Sequence, residues 1–463
     1  MGIGTALGGP DVVVSTVGEG LDTPGVAKYG SVNGITSYSI TTTSCNIGTQ
    51  TAIWTASTNQ HPLIGSQVYR LHNGRFEQIG LSWLKHGFCA ADWPSCTELV
   101  PGSIYQGNEE CETLGRFATD TYYSGLNGQQ SNIGPRSEVN ANTGMYPFPP
   151  SMGWGSTYNC LVKRIQIANT DLSPVGYPGA RYFGEAHYVT TDEARADRTN
   201  NASHRELIVG PLSSGTEDPS SVSPRCRSTN QGYALSFIGA TTPLLPAINA
   251  WRNADPTVTL VNIDIANDGR VIVGAKVTSL GGNLWQYEYA VYNHNSDKAI
   301  GSFTLPKAGG AGVTITNLGF HDVAHHSGEP YDGTDWMSTV NANTVAWSTT
   351  AWSTNPNANA IRWGTLYNFR LQSNRAPSNG SITLGLFKGT TPGSVIAGGL
   401  PVPSGAATCA ADFNQVGGVT VQDIFDFLTA WFSGSIAADF NRDSGVTLQD
   451  VFDFLGAFFA GCL

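Results

Sequence analysis

Val258-Thr-Leu-Val-Asn-Ile-Asp-Ile265 decides the fold class of this chain, together with the turn Ala266-Asn-Asp-Gly269 and the run Arg270-Val-Ile-Val-Gly-Ala-Lys-Val277 that follow it. The first run alternates between apolar and polar residues, which is the period of a strand with one buried face. Asn-Asp-Gly between two such runs is a strong signal for a tight hairpin turn. The stretch therefore predicts an antiparallel β-hairpin.

This hairpin opens a longer β segment. Further strand-like runs follow at similar spacing, at residues 284–292, 300–305, 313–318, 344–348, 366–371 and 382–387. Eight short strands at this spacing predict a β-sandwich, and because the segment contains no cysteine, packing alone must stabilise it. We assign residues 249–400 to this domain. Residues 401–408, at the end of a Gly-, Pro- and Ser-rich stretch that starts near 390, are assigned to a linker.

The preceding residues, 1–248, predict a second β-rich domain with disulfide bonds. They carry six of the eight cysteines, many Gly, Asn and Ser turns, and strand-like runs at 11–16, 36–42, 67–71, 163–168 and 206–209. The cysteine count is even and no Cys-x-x-Cys pair occurs, which favours disulfides in an oxidising compartment; the alternative is a set of buried free thiols. The sequence leaves open how Cys45, Cys89, Cys96, Cys111, Cys160 and Cys226 are paired.

Composition limits the class of protein further. Only 13% of the 463 residues are charged and 55 are glycine, which favours turn-rich β structure over long amphipathic helices. The net charge of −11 argues against nucleic acid or an anionic membrane as a partner. No apolar run approaches the roughly 18 residues of a membrane span. We expect a mainly β protein that is secreted and is extracellular or at the cell surface.

The last segment, residues 409–463, contains an internal repeat with a period of 27 residues. Copy one reads Asp412-Phe-Asn-Gln-Val-Gly-Gly-Val-Thr-Val-Gln-Asp423, then Ile-Phe-Asp-Phe-Leu-Thr-Ala-Trp-Phe432. Copy two reads Asp439-Phe-Asn-Arg-Asp-Ser-Gly-Val-Thr-Leu-Gln-Asp450, then Val-Phe-Asp-Phe-Leu-Gly-Ala-Phe-Phe459. In each copy a polar loop leads into apolar residues at helical spacing, so each unit predicts a loop followed by an amphipathic helix.

The twelve-residue loops place oxygen ligands at the spacing with which a chain wraps calcium, a hard cation that takes six to eight oxygens. The candidates in copy two are Asp439, Asn441, Asp443, the Gly445 carbonyl, Thr447 through water, and Asp450. The candidates in copy one are Asp412, Asn414, the Gly418 carbonyl, Thr420 and Asp423. Val416 stands at loop position 5 of copy one, where a carboxylate is expected, so we expect the first site to be weaker or empty.

These paired units resemble the dockerin type I family, in which two half-EF-hand repeats attach secreted proteins to cohesin-bearing partners. The resemblance covers about residues 409–463 and implies calcium as cofactor and docking to another extracellular protein or a neighbouring subunit. Ser444 replaces the usual glycine at loop position 6. The partner-reading pairs would be Val421-Gln422 and Leu448-Gln449, where the family has small hydroxyl residues, so a standard cohesin partner does not follow. Cys409 and Cys462 flank the repeats, and we expect them to join the ends of the module.

The body offers candidate sites without a linear motif. His321, His325, His326, Glu329, Asp332 and Asp335 could ligate a metal, although a hydrogen-bonded loop is the stronger interpretation. Glu185 and His187 fall on one face of a predicted strand and could form an acid–base pair. His61, His86, Glu138 and His204 are further candidates, each more simply explained as a structural residue.

Two functions fit these features. The first is a non-catalytic surface or matrix protein, self-assembling or carbohydrate-binding, attached through the C-terminal module; its run at 11–16 could pair with a sheet edge of a neighbouring subunit. The alternative is a secreted polysaccharide-degrading hydrolase or lyase carrying a dockerin, which needs no linear catalytic motif. Whether the chain is an enzyme is left open, and glycans are a candidate ligand in either case.

Overall fold

A computed structural model describes residues 8–19, 25–90, 94–107, 109–156, 159–214, 231–309, 312–389, 392–404, 410–414, 419–441 and 443–460. The chain is mainly β, with 43% of residues in strands and 13% in helices. This confirms the fold class expected from the composition and the alternating runs. No helix among the described residues is both long and apolar enough to cross a membrane.

The first body is built from several antiparallel sheets. Its elements are β1 (Val12–Val17), β2 (Val26–Val32), β3 (Ile35–Ile40), β4 (Thr42–Asn46), β5 (Ala52–Ile53), β6 (Leu63–His72), β7 (Arg75–Leu81), β8 (Leu84–His86), β9 (Thr113–Leu114), β10 (Thr119–Tyr122), α1 (Ser124–Asn127), β11 (Ile133–Gly134), β12 (Ile165–Ala168), β13 (Arg181–Val189), β14 (Ala202–Ser214) and β15 (Gln231–Thr242). The largest sheet has the order β11-β8-β6-β13-β14-β15, with β7 also paired to β6. Two three-stranded sheets, β1-β4-β10 and β12-β3-β2, pack against it, and β5 pairs with β9.

Strand β1 lies in the core of this body. All six of its residues are buried, and it pairs with β4 from Val12 to Val17. Val12 and Val14 pack in one apolar cluster with Tyr38 and Tyr188. The interpretation of this run as a strand donated to a neighbouring subunit is therefore wrong, because its hydrogen bonds and side chains are already used inside the chain.

Two disulfides fasten the first body. Cys45 pairs with Cys96 and Cys89 pairs with Cys111. Cys160 is buried, and Cys226 lies outside the described residues. The disulfides bear out the expected oxidising environment for these four cysteines.

The second body is a β-sandwich. Its strands are β16 (Thr259–Asp264), β17 (Arg270–Ser279), β18 (Trp285–Asn293), β19 (Ile300–Pro306), β20 (Ile315–His321), β21 (Met337–Val340), β22 (Thr344–Ser348), β23 (Thr365–Ser373), β24 (Ser378–Leu386) and β25 (Ser394–Val402). They form two five-stranded sheets, β16-β17-β18-β23-β20 and β21-β22-β19-β24-β25. Phe303 of one sheet stacks on Phe369 of the other at 4.4 Å, inside one shared apolar core.

Two strands of the sandwich differ from the sequence-based prediction. The interpretation of the stretch near 390–408 as linker is wrong over β25, and β21 was not predicted at all. In β25 an extra residue, Gly399, forms a bulge opposite Gly380 and Ser381, with a φ of 79° that favours glycine. The bulge interrupts the two-residue alternation, so the pattern of a strand is hidden in the sequence.

The two bodies are in contact through both apolar side chains and hydrogen bonds. The helix α2 (Ile248–Ala254) spans the predicted boundary and buries Trp251 completely, in a cluster that draws residues from both bodies. Gln78 of β7 accepts a hydrogen bond from Leu366 N at 2.7 Å and donates one to Gly364 O at 3.1 Å. The two domains predicted at residues 1–248 and 249–400 are thus packed together through a continuous interior.

The C-terminal residues form a pair of helices. They are α3 (Val421–Phe432) and α4 (Leu448–Ala460). Phe427 and Phe454, which occupy equivalent positions in the two copies of the repeat, stack at 4.1 Å with their rings 3° from parallel, and both are completely buried. The helices therefore bury their aromatic faces against each other, as the apolar spacing predicted.

Candidate functional site

The described parts of the two C-terminal loops share the same hydrogen bonds. In the first, Asp423 accepts hydrogen bonds from Asn414 N at 3.1 Å and Thr420 N at 2.8 Å. In the second, Asp450 accepts them from Asn441 N at 3.1 Å and Thr447 N at 2.7 Å. Each aspartate also receives the hydroxyl of its threonine, so the last loop carboxylate joins the loop to the first turn of its helix.

These two carboxylates are held in the ionised form. Burial alone would raise the pKa of Asp423 and Asp450, but the backbone N–H groups and threonine hydroxyls that point at them outweigh it and lower both pKa values below the usual range. A buried, ionised carboxylate at the end of a polar loop is a suitable ligand for a hard cation.

The second loop gathers further oxygens. Asp439 accepts hydrogen bonds from Asp443 N at 3.1 Å and Ser444 N at 3.0 Å, and Asp443 accepts one from Gly445 N at 3.0 Å. Asn441 Oδ1 also accepts from Asp443 N at 3.0 Å. Ser444 has a φ of 75°, so the chain makes the sharp turn for which a glycine was expected and does so with a serine.

The first loop is described only in part. Asp412 Oδ1 is buried and has no hydrogen-bond partner among the described residues. A cation bound in the loop would satisfy this oxygen. The Gly418 carbonyl and Val416 lie outside those residues, as do Cys409 and Cys462, so the proposed clasp of the module stays a prediction. Asn414 donates from Nδ2 to Asp426 at 2.7 Å.

The donor set suits calcium better than a transition metal. Within the ranges that the structure describes, no three His, Cys, Asp or Glu side chains come together as a metal site. A cation here would need the amide, hydroxyl and backbone oxygens of the loops in addition to their carboxylates. Such an all-oxygen set of mixed type is characteristic of calcium.

The outward faces of the two helices carry matching apolar residues. Val421, Phe425 and Phe432 of α3 are 62%, 60% and 78% exposed, and their counterparts 27 positions later, Leu448, Phe452 and Phe459, are 58%, 59% and 80% exposed. Offsets of four and eleven residues place each set on one side of its helix. We call these two sets the apolar stripes. They are separate from the aromatic residues that the helices bury against each other.

The predicted pair Glu185 and His187 does share one face of β13, but it is enclosed. Glu185 accepts hydrogen bonds from Tyr292 Oη at 2.8 Å, Tyr69 Oη at 3.3 Å and Ala247 N at 2.5 Å. Burial raises the pKa of Glu185 to about 7, although these hydrogen bonds oppose the shift. His187 stacks on a second buried histidine, His294, at 4.5 Å. Neither side chain reaches solvent, so the pair has no access to a substrate.

The candidate metal loop of the sandwich instead joins the two bodies. Glu329 accepts hydrogen bonds from Arg136 N at 2.5 Å and Ser137 N at 3.2 Å, which caps a short helical turn of the first body. His326 contacts Leu81 O through Nε2 at 2.8 Å. The remaining candidates do not share one site. His321 contacts Gln78 O, and Asp332 accepts a hydrogen bond from Asn355. The ring of His325 packs on that of Tyr331, and Asp335 is exposed. A hydrogen-bonded loop is therefore the role that the geometry supports.

The remaining sequence candidates are structural too. His61 Nε2 and His86 Nδ1 are 2.8 Å apart and both rings are buried among aromatic side chains. Glu138 accepts a hydrogen bond from Ser151 N at 2.9 Å. His204 Nδ1 contacts Leu245 O at 2.8 Å. These groups do not converge on one site.

The structure also reveals a groove that the sequence did not indicate. It has a volume of about 520 Å³ and lies over the sheet β1-β4-β10, beside both disulfides. Its lining includes the exposed ring of Phe88, a set of serine and threonine hydroxyls, and the carboxylates Glu19, Glu98 and Asp120. The residues come from distant parts of the chain, and only the pairing of β4 with β1 and β10 brings them together.

The fold and the loops define a class: a mainly β protein with an appended pair of loop–helix units. No known family model matches the chain, and no characterised protein matches it in sequence. Among solved structures, the crystal structure of the N-terminal domain of the Streptococcus gordonii adhesin Sgo0707 is similar over 87% of this chain and 100% of that chain, at 9% identity and a TM-score of 0.18. That TM-score is too low to relate the two folds.

Proposed function

We propose that this chain is an extracellular, non-catalytic surface or matrix protein that is attached to another extracellular protein through its C-terminal pair of loop–helix units. The observation that carries the proposal is the pair of apolar stripes. Clusters of large, exposed apolar side chains are uncommon on soluble proteins unless they bind a partner. The same residues exposed to the same degree in both copies indicate a shared role in docking rather than chance.

The chemistry of the stripes limits the partner. Asp426 and Asp453 lie next to Phe425 and Phe452, and each accepts a hydrogen bond from the glutamine four residues earlier, at 2.9 Å. Neither helix contains Lys or Arg. A complementary partner would present an apolar surface bordered by basic side chains.

Calcium is the cofactor that this proposal requires. The second loop would hold it with Asp439, Asn441, Asp443, Gly445, Thr447 and Asp450, and the first with Asp412, Asn414, Gly418, Thr420 and Asp423. The bound ion would fix each loop against its helix and so orient the stripes. The resemblance of these units to dockerins supports the same assignment.

The alternative, a polysaccharide-degrading enzyme, needs two carboxylates that converge on an open cleft. Of the three carboxylates in the groove, Asp120 is 4% exposed and Glu19 is ion-paired with Arg205 at 3.0 Å. Among the described residues that line the groove, that leaves Glu98 as the exposed acid without an ion-pair partner, and no second such acid completes the pair. A non-catalytic binding role is therefore favoured over polysaccharide hydrolysis.

The proposal can be tested with the full chain from its extracellular source. The protein would be cross-linked in calcium, and the partner would be identified and purified. Its affinity would then be measured for the native chain and for a Phe425→Glu, Phe452→Glu double variant. We expect calcium-dependent binding that EDTA abolishes and that the double variant weakens at least tenfold.

Ile436→Glu provides the matched control. Ile436 is 72% exposed and belongs to the same module, but it lies outside both stripes, so its replacement should leave the affinity unchanged. Full binding by the double variant, or equal binding in EDTA, would contradict the proposal.

A further inference from the structure

We propose that the groove over the sheet β1-β4-β10 binds a neutral, polyhydroxylated ligand, namely a short segment of an uncharged glycan. This concerns the first body and goes beyond the attachment proposed for the C-terminal module. The volume of about 520 Å³ falls within the range of small-molecule sites in proteins.

An aromatic ring is available for stacking. Phe88 is 38% exposed at the groove, and its ring meets the buried ring of Tyr122 at 5.5 Å in an edge-to-face arrangement. Phe88 N also donates a hydrogen bond to Tyr122 Oη at 2.8 Å. The exposed ring is thus held in place at backbone and side chain, which suits it to stack on the apolar face of a sugar ring.

Hydroxyl groups cover the floor of the groove. Thr43 of β4 and Thr121 of β10 are direct cross-strand neighbours, and their hydroxyls are 2.9 Å apart. Ser15 donates to Thr43 O at 3.1 Å. One of the two threonine hydroxyls donates to the other, so the pair keeps one free donor as well as acceptor lone pairs for sugar hydroxyls.

The charge of the groove decides the class of glycan. Three carboxylates line it, and no Lys, Arg or His does so within the part of the chain that the structure describes. Because Glu19 is ion-paired with Arg205 and Asp120 is buried, Glu98 is the open carboxylate of the three. Uronate, sulfate or phosphate groups would meet like charge at Glu98, whereas a neutral sugar can donate a hydroxyl proton to it. The proposal therefore excludes anionic polysaccharides.

Both disulfides contribute to the walls of the groove. Cys89 and Cys96 line it, and each belongs to one of the two disulfides. A site fixed by disulfides and a paired sheet loses little conformational entropy on binding a ligand.

The experiment is calorimetric titration of the full chain with neutral cello-, xylo-, manno- and chito-oligosaccharides, and with oligogalacturonides as anionic probes. We expect binding of at least one neutral series and none of the anionic one. Phe88→Ala should weaken the binding about five- to tenfold through loss of stacking. Thr121→Val, which keeps the shape and the β propensity, should weaken it through loss of the hydroxyl.

Trp352→Ala is the matched control, since Trp352 is an aromatic residue with nearly the same exposure, 37%, and lies in neither proposed site. It should leave glycan binding unchanged, and Phe88→Ala should leave the binding of the module to its partner unchanged, so the two proposals succeed or fail separately. The inference is overturned if no neutral series binds, if Phe88→Ala and Thr121→Val both bind like the native chain, or if reducing ends are released.

Discussion

At the scale of single residues, the histidines of this chain are mostly buried and neutral. Seven of the nine have a pKa lowered chiefly by burial: His61, His86, His187, His204, His294, His325 and His326. The pKa falls to about 4 for His61 and His294 and to about 3 for His325. In sequence, all of these residues except His294 were candidate ligands or catalysts, yet they are parts of the interior, where five of the seven rings make a hydrogen bond.

This burial predicts acid sensitivity. The unfolded chain takes up protons at these seven histidines near pH 6.5, whereas burial keeps them neutral to lower pH in the folded chain, to about pH 4 for His61 and His294. The free energy of unfolding should therefore fall as pH drops from about 6.5 toward 4. Urea unfolding at pH 7.5, 6.5, 5.5 and 4.5 would measure it. Equal midpoints from pH 6.5 to 4.5 would contradict the assignment of neutral histidines.

A second prediction concerns Glu185. Replacing it by Gln places an amide NH₂ where the carboxylate now accepts a hydrogen bond from Ala247 N or from the two tyrosines. We expect Glu185→Gln to destabilise the body by about 1–3 kcal/mol, the cost of an unsatisfied buried polar group. Glu206→Gln is the control, because Glu206 makes a surface ion pair with Arg181 whose loss should cost at most about 1 kcal/mol. Equal effects of the two substitutions in urea unfolding would refute the structural role of Glu185.

Because its folded pKa is raised, Glu185 also makes the native state less stable as pH rises from about 4.5 through 7. Its effect is opposite in sign to that of the histidines. The variant Glu185→Gln should therefore lose this contribution, so that its stability falls more steeply than that of the native chain as pH drops from about 6.5 toward 4.5.

At the scale of elements, the two units of the repeat share their helix packing and differ in their candidate calcium ligands. The same three hydrogen-bonding positions recur in each loop, and Phe427 packs on its own counterpart, Phe454. The difference lies at loop position 5, where copy one has Val416 and copy two has Asp443. One fewer carboxylate lowers both the charge and the number of ligands at the first site.

We expect calcium titration of the full chain to show a strong and a weak site. Val416→Asp should strengthen the weak site, and Asp443→Ala should weaken the strong one by at least tenfold. Asp453→Ala removes a carboxylate from α4 outside the loops and should change neither affinity. Two sites of equal affinity in the native chain, or an unchanged profile for Asp443→Ala, would show that the loops do not bind calcium as proposed.

At the scale of the whole molecule, the two β bodies have a common interior. Phe76 of the first body packs with Trp251 and with sandwich residues in one cluster, and Asn368 of the sandwich donates to Phe76 O at 2.7 Å. Arg75 pairs with Glu288 across the same junction at 2.7 Å. Such contacts couple the stability of one body to that of the other.

We therefore predict that the two bodies unfold together. In calorimetry of the full chain, Phe76→Ala in the first body and Leu384→Ala in the sandwich should lower the midpoint of the same transition. Each substitution should reduce the free energy of unfolding, by about 3–5 kcal/mol for the phenylalanine and slightly less for the leucine. EDTA should leave this transition in place, since the proposed calcium loops lie in the C-terminal module. Two body transitions, each shifted by only one of the variants, would refute the coupling.

The sequence by itself determined the features that depend on neighbours along the chain. Alternation at residues 258–265 with Asn267-Asp-Gly269 specified the first hairpin of the sandwich, and the 27-residue period specified two helices with equivalent apolar faces. Both follow from backbone periodicity, which any local segment displays whatever packs on it. The bulge at Gly399 broke that periodicity, and β25 was missed for that reason.

Only the tertiary structure decided which polar residues are enclosed and which are open. Glu185 and His187 share a strand face as predicted, but the sandwich covers that face. The groove at Phe88 combines residues from β1, β4 and β10 with two disulfides whose pairing the cysteine spacing left open. Burial and convergence depend on which element covers another, and this information is held in long-range contacts rather than in any one stretch of sequence.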